Sequence, residues 1–338
     1  MFNLKPTDYD RYVYEKELRD FLPDEFIDFH THIEAENATV QGDHNGGSTW
    51  TDLVSSAKTA EDLIDTYRLL FPDKKVTPLV FGSCLCDIDE VNEYVHKKAE
   101  KYGFPKLYRT HYAMPASELE DKIKTGGFLG IKPYLSNCPS YIPSNEVRIF
   151  DFVPHEHLEV CDKNGWILML HIPRNERFRD KVNLAQLLEI EEKYPNIKLI
   201  IAHIGRAYAK EDIGNAFEIV GKGKNTYFDF TANLCEDAIK ACIEAVGTKK
   251  LIFGSDLPIA LMRMYRIVED GVYYNIVPRG LYGKVDGEPH MRETDETDVT
   301  LMIYEQLLAF KNVAKELGLS KEDVYDVLCG NAKRLLGL

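Results

Sequence analysis

The sequence lacks several features that would place it in a special class of protein. It has no run of about 18 apolar residues, so no segment is predicted to span a membrane. Its first residues do not set a cationic stretch before an apolar one, and we expect no signal peptide and a cytoplasmic protein. Lysine and arginine form no block, and the formal net charge is −14, so nucleic acid is not an expected partner. Because this charge repels anions at long range, any specificity for an anion requires local arginines.

Paired cysteines and phosphate-binding loops are missing too. The seven cysteines are scattered, only Cys84 and Cys86 lie close together, and no zinc-ribbon spacing occurs. A disulfide framework is not expected in so long a chain, which favours a reducing compartment. The glycines within 126–130 and 221–223 precede predicted strands, whereas a phosphate-binding loop opens a helix. These absences disfavour a doubly wound nucleotide-binding sheet, which is the main alternative fold.

What the sequence does contain is a regular alternation of strand-like and helix-like segments. The predicted strands are 26–31, 76–81, 106–113, 128–134, 166–171, 198–203, 225–231 and 250–255. The predicted helices between them are Leu53–Leu70, Ile88–Tyr102, Ser117–Lys124, His157–Lys163, Leu184–Tyr194, Ile213–Val220 and Ala238–Val246. Eight such units within about 230 residues predict an α/β protein with a (β/α)8 TIM barrel. We expect one domain over 1–338, with its barrel core at about 26–256.

The pattern loosens after the eighth predicted strand. Residues from about 263 to 298 show weak periodicity and are predicted to be an insertion without regular structure. Such a segment serves either as a lid over the site or as a contact arm of a homo-oligomer. C-terminal helices are expected over about 299–338, and Ser320 with an acid three residues later predicts the start of the last one.

Four apolar segments end in imidazole or carboxylate side chains. They are Phe26–His32, Ile167–His171, Leu199–His203 and Leu251–Asp256. The carboxyl ends of parallel strands meet at one face of a barrel, and nitrogen and oxygen ligands suit a divalent metal ion. His30 and His32 are two apart in a strand and share a face, whereas His155 and His157 begin a predicted helix and should not share an ion.

Six motifs in order resemble the amidohydrolase superfamily, particularly its second amidohydrolase subgroup of TIM-barrel hydrolases and decarboxylases. They are Asp28–His32, Gly130–Pro133, Leu170–His171, Ala202–Gly205, Phe253–Asp256 and Gly330–Ala332. The resemblance spans nearly the whole chain and implies metal-dependent catalysis.

The resemblance also implies a role for each residue. The metal ligands carried over are His30, His32, His171 and Asp256. His203 either polarises a substrate oxygen or binds a second ion, and Asp256 accepts and returns the proton of the attacking water. We expect one ion rather than two, and zinc before manganese or iron.

Other residues near the predicted strand ends are candidates for substrate binding. Lys132 either offers an ammonium to a substrate carboxylate or pairs, as a buried lysine, with an acid of the protein. The resemblance adds a third role, because some members of the superfamily carbamylate a fourth-strand lysine that then bridges two metals. Arg174 and Arg206 each lie three residues beyond a predicted site histidine, and either grip an acidic substrate or form salt bridges among loops. Tyr134, His111 and Tyr112 are expected to line the same mouth, with Arg263, Tyr273 and Tyr274 covering it from the insertion.

Two enzymatic hypotheses share this set of residues. The first is a metal-dependent hydrolase in which an activated water attacks an ester, lactone or amide of a small acidic substrate. The second is a metal-dependent, non-oxidative decarboxylase of a small carboxylic acid. Sugar-acid isomerisation or dehydration is a third possibility, and a non-enzymatic barrel is disfavoured because the full residue set is present.

Overall fold

The fold is described from a computed structural model, which places residues 5–39, 54, 58–84, 86–283, 285 and 287–338. Eight parallel strands carry the architecture. They are β1 Glu25–Ile33, β2 Lys75–Gly82, β3 Tyr108–Thr110, β4 Gly130–Pro133, β5 Ile167–Leu170, β6 Lys198–Ile201, β7 Thr226–Asp229 and β8 Leu251–Ile252. Each overlaps a predicted strand, although β3 and β8, with three and two residues, are much shorter than predicted.

The strands close into a barrel through hydrogen bonds between neighbours. Strands β3 to β8 form one continuous parallel sheet in chain order, and β1 pairs with β2 in parallel. One junction joins β2 to β3, where the Leu107 N–H donates to the Val80 carbonyl at 3.0 Å. The other joins β1 to the segment after β8, where the Phe29 N–H donates to the Phe253 carbonyl at 3.0 Å. The predicted (β/α)8 TIM barrel is confirmed.

Helices cover the outside of the barrel. Those that follow strands are α2 Ala60–Leu70, α3 Ile88–Tyr102, α4 Ala116–Gly126, α5 Ile149–Phe152, α6 His155–Asn164, α7 Lys181–Lys193, α8 Ala216–Ile219 and α9 Glu236–Val246. Before the barrel, α1 Asp8–Val13 continues into a π-helix, Tyr14–Leu18. The chain ends with α10 Met302–Glu316, α11 Lys321–Tyr325, a π-helix Asp326–Gly330 and α12 Asn331–Leu336. Leu53, the predicted start of the first barrel helix, lies outside the described residues.

Apolar side chains from strands and helices form a continuous core that runs from Val13 to Leu335. Phe26 of β1 packs edge-on against Phe253 with ring centroids 5.7 Å apart, and both are buried. Edge-to-face aromatic pairs stabilise a core beyond their burial alone. This packing holds the strand ends, and therefore the side chains they carry, in fixed positions.

The segment after β8 is more regular than the sequence indicated. Within 263–298 the structure has a three-stranded sheet, β9 Tyr265–Glu269, β10 Val272–Pro278 and β11 Met291–Thr294. Strands β9 and β10 form a hairpin around Asp270 and Gly271, whose φ angles are 51° and 76°. Positive φ at both central positions is what a two-residue hairpin turn requires. The prediction of a segment without regular structure was therefore wrong.

Two further elements bear on the predictions. Ser320 caps α11 through its hydroxyl, which accepts from the Asp323 N–H at 3.1 Å, so the predicted cap is confirmed. Among the described residues, none of the helices is both long and apolar enough to cross a bilayer.

Candidate active site

Five side chains from four strand ends converge at the carboxyl-terminal mouth of the barrel. His30 and His32 lie within β1, His171 directly follows β5, and His203 and Asp256 follow β6 and β8. The His30 ring lies 5.5 Å from the His32 ring and 5.0 Å from the His203 ring, centroid to centroid. The His171 ring lies 5.1 Å from that of His203. Side chains distant in sequence therefore form one cluster.

The backbone is strained where these side chains leave the strands. His203 and Asp256 have φ angles of 56° and 71°, and Ile204 and Arg206 also have positive φ. Side chains other than glycine adopt this region at a cost of about 1–2 kcal/mol each, and such strain is common at functional sites. The Asn233 amide supports this turn by donating to the His203 and Ala207 carbonyls at 3.1 and 2.9 Å.

A glycine allows β1 and the end of β8 to approach each other. A Cβ at Gly254 would lie 2.6 Å from the His30 Cβ and 2.3 Å from the Thr231 Oγ1. Because both distances are far below van der Waals contact, only glycine fits without moving His30.

Hydrogen bonds behind two of the histidines fix which ring nitrogen faces the cluster. His203 Nδ1 lies 2.8 Å from the Thr231 carbonyl, which only accepts, so Nδ1 carries the proton. His30 Nδ1 lies 3.0 Å from Asp229 Oδ2, so it likewise donates to a carboxylate. The Nε2 lone pairs of both rings are therefore directed at the cluster. Burial lowers the pKa of His30 and of His203, which keeps both imidazoles neutral.

His32 is oriented in the same way by Tyr134. The Tyr134 hydroxyl donates to the Gly82 carbonyl at 2.8 Å, so its oxygen is free to accept from His32 Nδ1, 3.1 Å away. That arrangement leaves the Nε2 of His32 unprotonated, 2.9 Å from Asp256 Oδ1. Nε2 and the carboxylate oxygen therefore face one point, where either a proton or a metal ion can lie between them.

Asp256 is the carboxylate at the centre of the cluster. Its Oδ1 lies 3.5 Å from His30 Nε2 as well as close to His32, and its N–H donates to the His30 carbonyl at 2.9 Å. Burial by itself would raise the pKa of Asp256, but its short contact with His32 and the other nearby histidines lower it below its usual value. The carboxyl is thus ionised.

The donor set fits a divalent cation. Ligand atoms of His30, His203 and Asp256 lie within 4.8 Å of one another, the only such group of three or more among the described residues. His171 Nδ1 is buried without a hydrogen-bond partner in the part of the chain that the structure describes. Neutral imidazoles with one carboxylate match the ligands of zinc and related ions, and the remaining ring nitrogens of His30 and His203 are hydrogen-bonded as in known sites.

Lys132 lies beside this group on β4. Its Nζ is 3.3 Å from His30 Nε2 and 5.0 Å from the centroid of the Phe81 ring, and the side chain is buried. Burial lowers the pKa of Lys132 to about 8, although Asp229 and Asp256 counteract the shift. Among the described residues no carboxylate forms an ion pair with it.

The other predicted substrate-binding residues differ in position. Arg174 forms an ion pair with Asp180 at 2.9 Å, and its φ is 62°. Arg206 donates to the Arg174 carbonyl at 3.1 Å and has no carboxylate partner in the described chain. His111 lies after β3, where its Nδ1 accepts from the Ala113 N–H at 3.1 Å and its ring packs against Tyr112. No contact joins His111 to the histidine cluster within the described residues.

The residues expected to cover the mouth from the insertion are only partly placed there. Arg263 is directed elsewhere, because its guanidinium binds both oxygens of the buried Asp10 in α1 at 2.7 and 2.8 Å. Tyr274 has the exposed Arg292 guanidinium over its ring, 3.5 Å from the ring centroid. Tyr273 packs at 5.1 Å against Tyr208, whose ring lies 6.5 Å from that of His203.

His155 and His157 bind separate partners at the start of α6, as predicted. His155 Nδ1 lies 2.8 Å from the Tyr194 hydroxyl, and His157 Nε2 lies 2.7 Å from the Met114 carbonyl. The i, i+2 spacing therefore has a different meaning in a helix than in a strand.

Several residues of the site were not predicted from the sequence. Asp229 ends β7 and accepts from His30 Nδ1 and, at 2.7 Å, from the His203 N–H. Arg266 of β9 stacks on Tyr208 and Tyr273 at 4.8 and 4.9 Å. Asp229 closes the predicted seventh strand, which is the signal that identified Asp256 and could have identified it too.

A closed barrel with histidines and an aspartate at its carboxyl-terminal mouth defines the class of metal-dependent TIM-barrel enzymes. The amidohydrolase family model matches residues 27–338. The chain belongs to the amidohydrolase family, and the protein is an enzyme. Among curated proteins, no relative matches the sequence.

Solved structures share the fold at low sequence identity. A probable 2-pyrone-4,6-dicarboxylic acid hydrolase from Acinetobacter baumannii, with citric acid bound, is 15% identical with a TM-score of 0.59, covering 93% of this chain and 99% of that one. A dihydroxybenzoic acid decarboxylase from Polaromonas sp. JS666, with bound manganese and an inhibitor, is 16% identical with a TM-score of 0.55, covering 94% and 98%. The 5-carboxyvanillate decarboxylase from Sphingomonas paucimobilis is 13% identical with a TM-score of 0.52, covering 94% and 100%. At these identities the likeness concerns the fold.

Proposed function

We propose that the protein is a metal-dependent hydrolase that adds water to an ester, lactone or amide bond of a small acidic substrate. The observation that carries this proposal is the convergence of His30, His203 and Asp256, with both imidazoles presenting unprotonated Nε2 atoms. His32 and His171 border the same group and complete the proposed set of ligands, together with one divalent ion. Zinc is the first candidate, with manganese or iron as alternatives.

When bound, a divalent ion lowers the pKa of a coordinated water and polarises a substrate oxygen. Asp256 is placed to accept the proton of the attacking water and to return it to the leaving group, since it is an ionised carboxylate beside three imidazoles. His203 holds its Nδ1 proton on the Thr231 carbonyl, so its neutral ring offers a lone pair rather than a hydrogen-bond donor to the site. This favours ligation over donation to an oxyanion as the role of His203.

A decarboxylase is the second candidate, and Lys132 is the observation that favours it. Its ammonium lies buried beside His30 without a carboxylate partner in the described chain, where it can pair with a carboxylate held at the metal site. Two relatives of the same fold are named as decarboxylases of aromatic acids and one as a hydrolase of a dicarboxylic acid. Both candidates therefore take acidic substrates and differ in whether water is added or CO2 is lost.

An assay that follows both products separates the two candidates. Protein loaded with zinc or manganese is incubated with lactones and esters of carboxylic acids and, separately, with hydroxybenzoic acids. Hydrolysis is measured by acid release and decarboxylation by CO2 release. The hydrolase proposal predicts acid release that falls at least 100-fold in Asp256→Asn, since removing a catalytic acid–base group typically costs 10²–10⁴-fold. Asp237→Asn, on the exposed start of α9, is the matched control.

The outcomes are distinct. Release of CO2 without hydrolysis would transfer the assignment to the decarboxylase. Hydrolysis that survives both chelation of the metal and Asp256→Asn would contradict the proposed chemistry altogether.

A further inference from the structure

The insertion places an arginine at the edge of the barrel mouth. Arg266 of β9 donates from Nε to the Asn275 Oδ1 on β10 at 2.9 Å, and from Nη1 to the Ala232 carbonyl at 3.2 Å. Ala232 lies three residues beyond the end of β7, so this side chain joins the small sheet to the barrel. In the described residues its Nη2 has no partner.

Two tyrosines hold the Arg266 guanidinium in place. The rings of Tyr208 and Tyr273 lie 4.8 and 4.9 Å from it and 5.1 Å from each other. Arg177 lies against the same two rings at 5.4 and 4.8 Å. Aromatic faces orient a guanidinium without neutralising it, so the plane is preorganised and the charge remains available.

The charges in this region do not balance. The guanidinium groups of Arg177 and Arg266 lie against the Tyr208 ring, and that of Arg206, two residues before Tyr208, donates to the Arg174 carbonyl. Asp212 pairs with Arg177 at 2.8 Å, and no carboxylate pairs with Arg206 or Arg266 among the residues described. Placing uncompensated cations together in a largely desolvated region is unfavourable unless an anion joins them. This local surplus is notable in a chain whose formal net charge is −14.

This group of positive charges lies next to the histidine cluster. The Tyr208 ring lies 6.5 Å from the His203 ring, and the Tyr208 N–H donates to the Arg206 carbonyl at 3.0 Å. The Tyr208 ring therefore separates a ligand group bound at Arg266 from the histidine cluster. That separation suits a charged group at the far end of a small substrate.

We propose that Arg266, supplied by the insertion, forms with Arg206 a subsite for an oxyanion group of the substrate, remote from the bond that reacts. The proposal rests on the proposed function for the position of the reacting bond. The shared chemistry is that of a carboxylate or a phosphate, either of which accepts charge-assisted hydrogen bonds from the unpartnered Nη2 of Arg266 and from the Arg206 guanidinium. The insertion is thus a specificity element, because it supplies the group that recognises the charged end of the substrate.

Direct binding tests this subsite without depending on turnover. Isothermal titration of the zinc-loaded protein compares isophthalate, which has two carboxylates, with the neutral isophthalamide and with inorganic phosphate. In Arg266→Met, the Kd for isophthalate is expected to rise at least tenfold, while that for isophthalamide is unchanged. Arg292→Met is the matched control, because Arg292 also stacks on a tyrosine of this sheet but is exposed and paired with Glu269. Phosphate that binds more tightly than isophthalate, and depends on Arg266, would identify phosphate as the oxyanion.

Three results would overturn the proposal. These are unchanged anion binding in Arg266→Met, an equal loss for the neutral amide, or an equal loss in Arg292→Met. If Arg266→Met does not fold, Arg206→Met must give the tenfold loss, and unchanged binding there overturns the subsite. Binding is measured apart from catalysis, so the subsite can still be tested if the hydrolase assay fails. If the protein hydrolyses its substrate but anion binding does not depend on Arg266, only the subsite proposal is wrong.

Discussion

At the scale of single residues, the hydrogen bonds on the outer side of each imidazole decide which nitrogen faces the site. Asp229 holds His30, the Thr231 carbonyl holds His203, and Tyr134 holds His32. Each partner fixes a tautomer, so the lone pairs are directed inward before any cation arrives. Preorganisation of this kind raises the affinity of a metal site.

Asp229→Asn tests this positioning role. The substitution keeps the size of the side chain but removes the charge that accepts from His30 Nδ1, so we expect zinc affinity to fall about 10–100-fold. The measurement is a competition titration with a zinc chelator, using Asp237→Asn as control and thermal unfolding to check the fold. Unchanged affinity in a folded variant would show that Asp229 does not position His30 for the metal.

The sequence predicted the inward-facing groups better than their supports. His30, His32, His171, His203 and Asp256 each end or follow an apolar strand, and that local signal is visible in one chain. The partners come from other strands, about 200 positions away in the case of Asp229 and His30. Only the closed barrel brings the histidines and their partners together, so no local sequence pattern predicts these hydrogen bonds. Arg263 was predicted to cover the mouth, but it forms an ion pair with Asp10, which is distant in sequence. A long-range contact made this local prediction wrong.

At the scale of elements, the site depends on how closely strand ends approach. Gly254, after β8, leaves space for the His30 Cβ, and the turn after β6 passes through positive φ at His203 and Ile204. These turns place the side chains at the cost of local strain. The surrounding barrel compensates for it through core packing.

Gly254→Ala probes this close approach. The added methyl would lie 2.6 Å from the His30 Cβ, so either β1 or the segment after β8 must move. We expect a destabilisation of about 1–3 kcal/mol, as for overpacked cores, and weaker zinc binding. Chemical denaturation and zinc titration measure the two effects. The control is the conservative Asp237→Asn, at an exposed position on α9. A variant as stable as the control, with normal zinc affinity, would contradict the packing argument.

The hairpin of β9 and β10 was not predicted, although the sequence contains a turn signal for it. Asp270 and Gly271 form an Asp-Gly pair between two short stretches rich in tyrosine, isoleucine and valine, which is a strong local hairpin pattern. The barrel strands, by contrast, were predicted because they are continuous apolar runs. Strand β9 carries Arg266 and Glu269 three residues apart, hence on opposite faces, and this interrupts the hydrophobic periodicity that identifies a strand.

At the scale of the whole molecule, the N-terminal helix, barrel and C-terminal helices pack on one core, and we propose that they unfold together as one domain. Arg263 and the buried Asp10 join α1 to the segment after β8. Tyr304 of α10 stacks on Tyr14 and donates to the Leu70 carbonyl at 2.7 Å. These contacts cross between distant parts of the sequence and favour cooperative unfolding.

Glu305, in the first turn of α10, makes this unfolding dependent on pH. Burial raises the pKa of Glu305 to about 7, above the usual value of 4.5. The folded state therefore binds a proton more tightly than the unfolded state, and stability falls as the pH rises from about 4.5 through 7. Calorimetry should show that Glu305→Gln raises the Tm relative to wild type more at pH 8 than at pH 5. The corresponding difference in the free energy of unfolding is on the order of 1–2 kcal/mol. The exposed Glu322→Gln is the control, and equal effects at both pH values would contradict the assignment.

The central claim is that the barrel mouth binds one divalent ion, and crystallography at a metal absorption edge tests it most directly. Crystals grown with zinc should give a single anomalous peak about 2.0–2.2 Å from the Nε2 atoms of His30 and His203 and from a carboxylate oxygen of Asp256. Two peaks bridged by a carbamylated Lys132 would contradict the single ion. A map without a peak among these side chains would contradict the account as a whole.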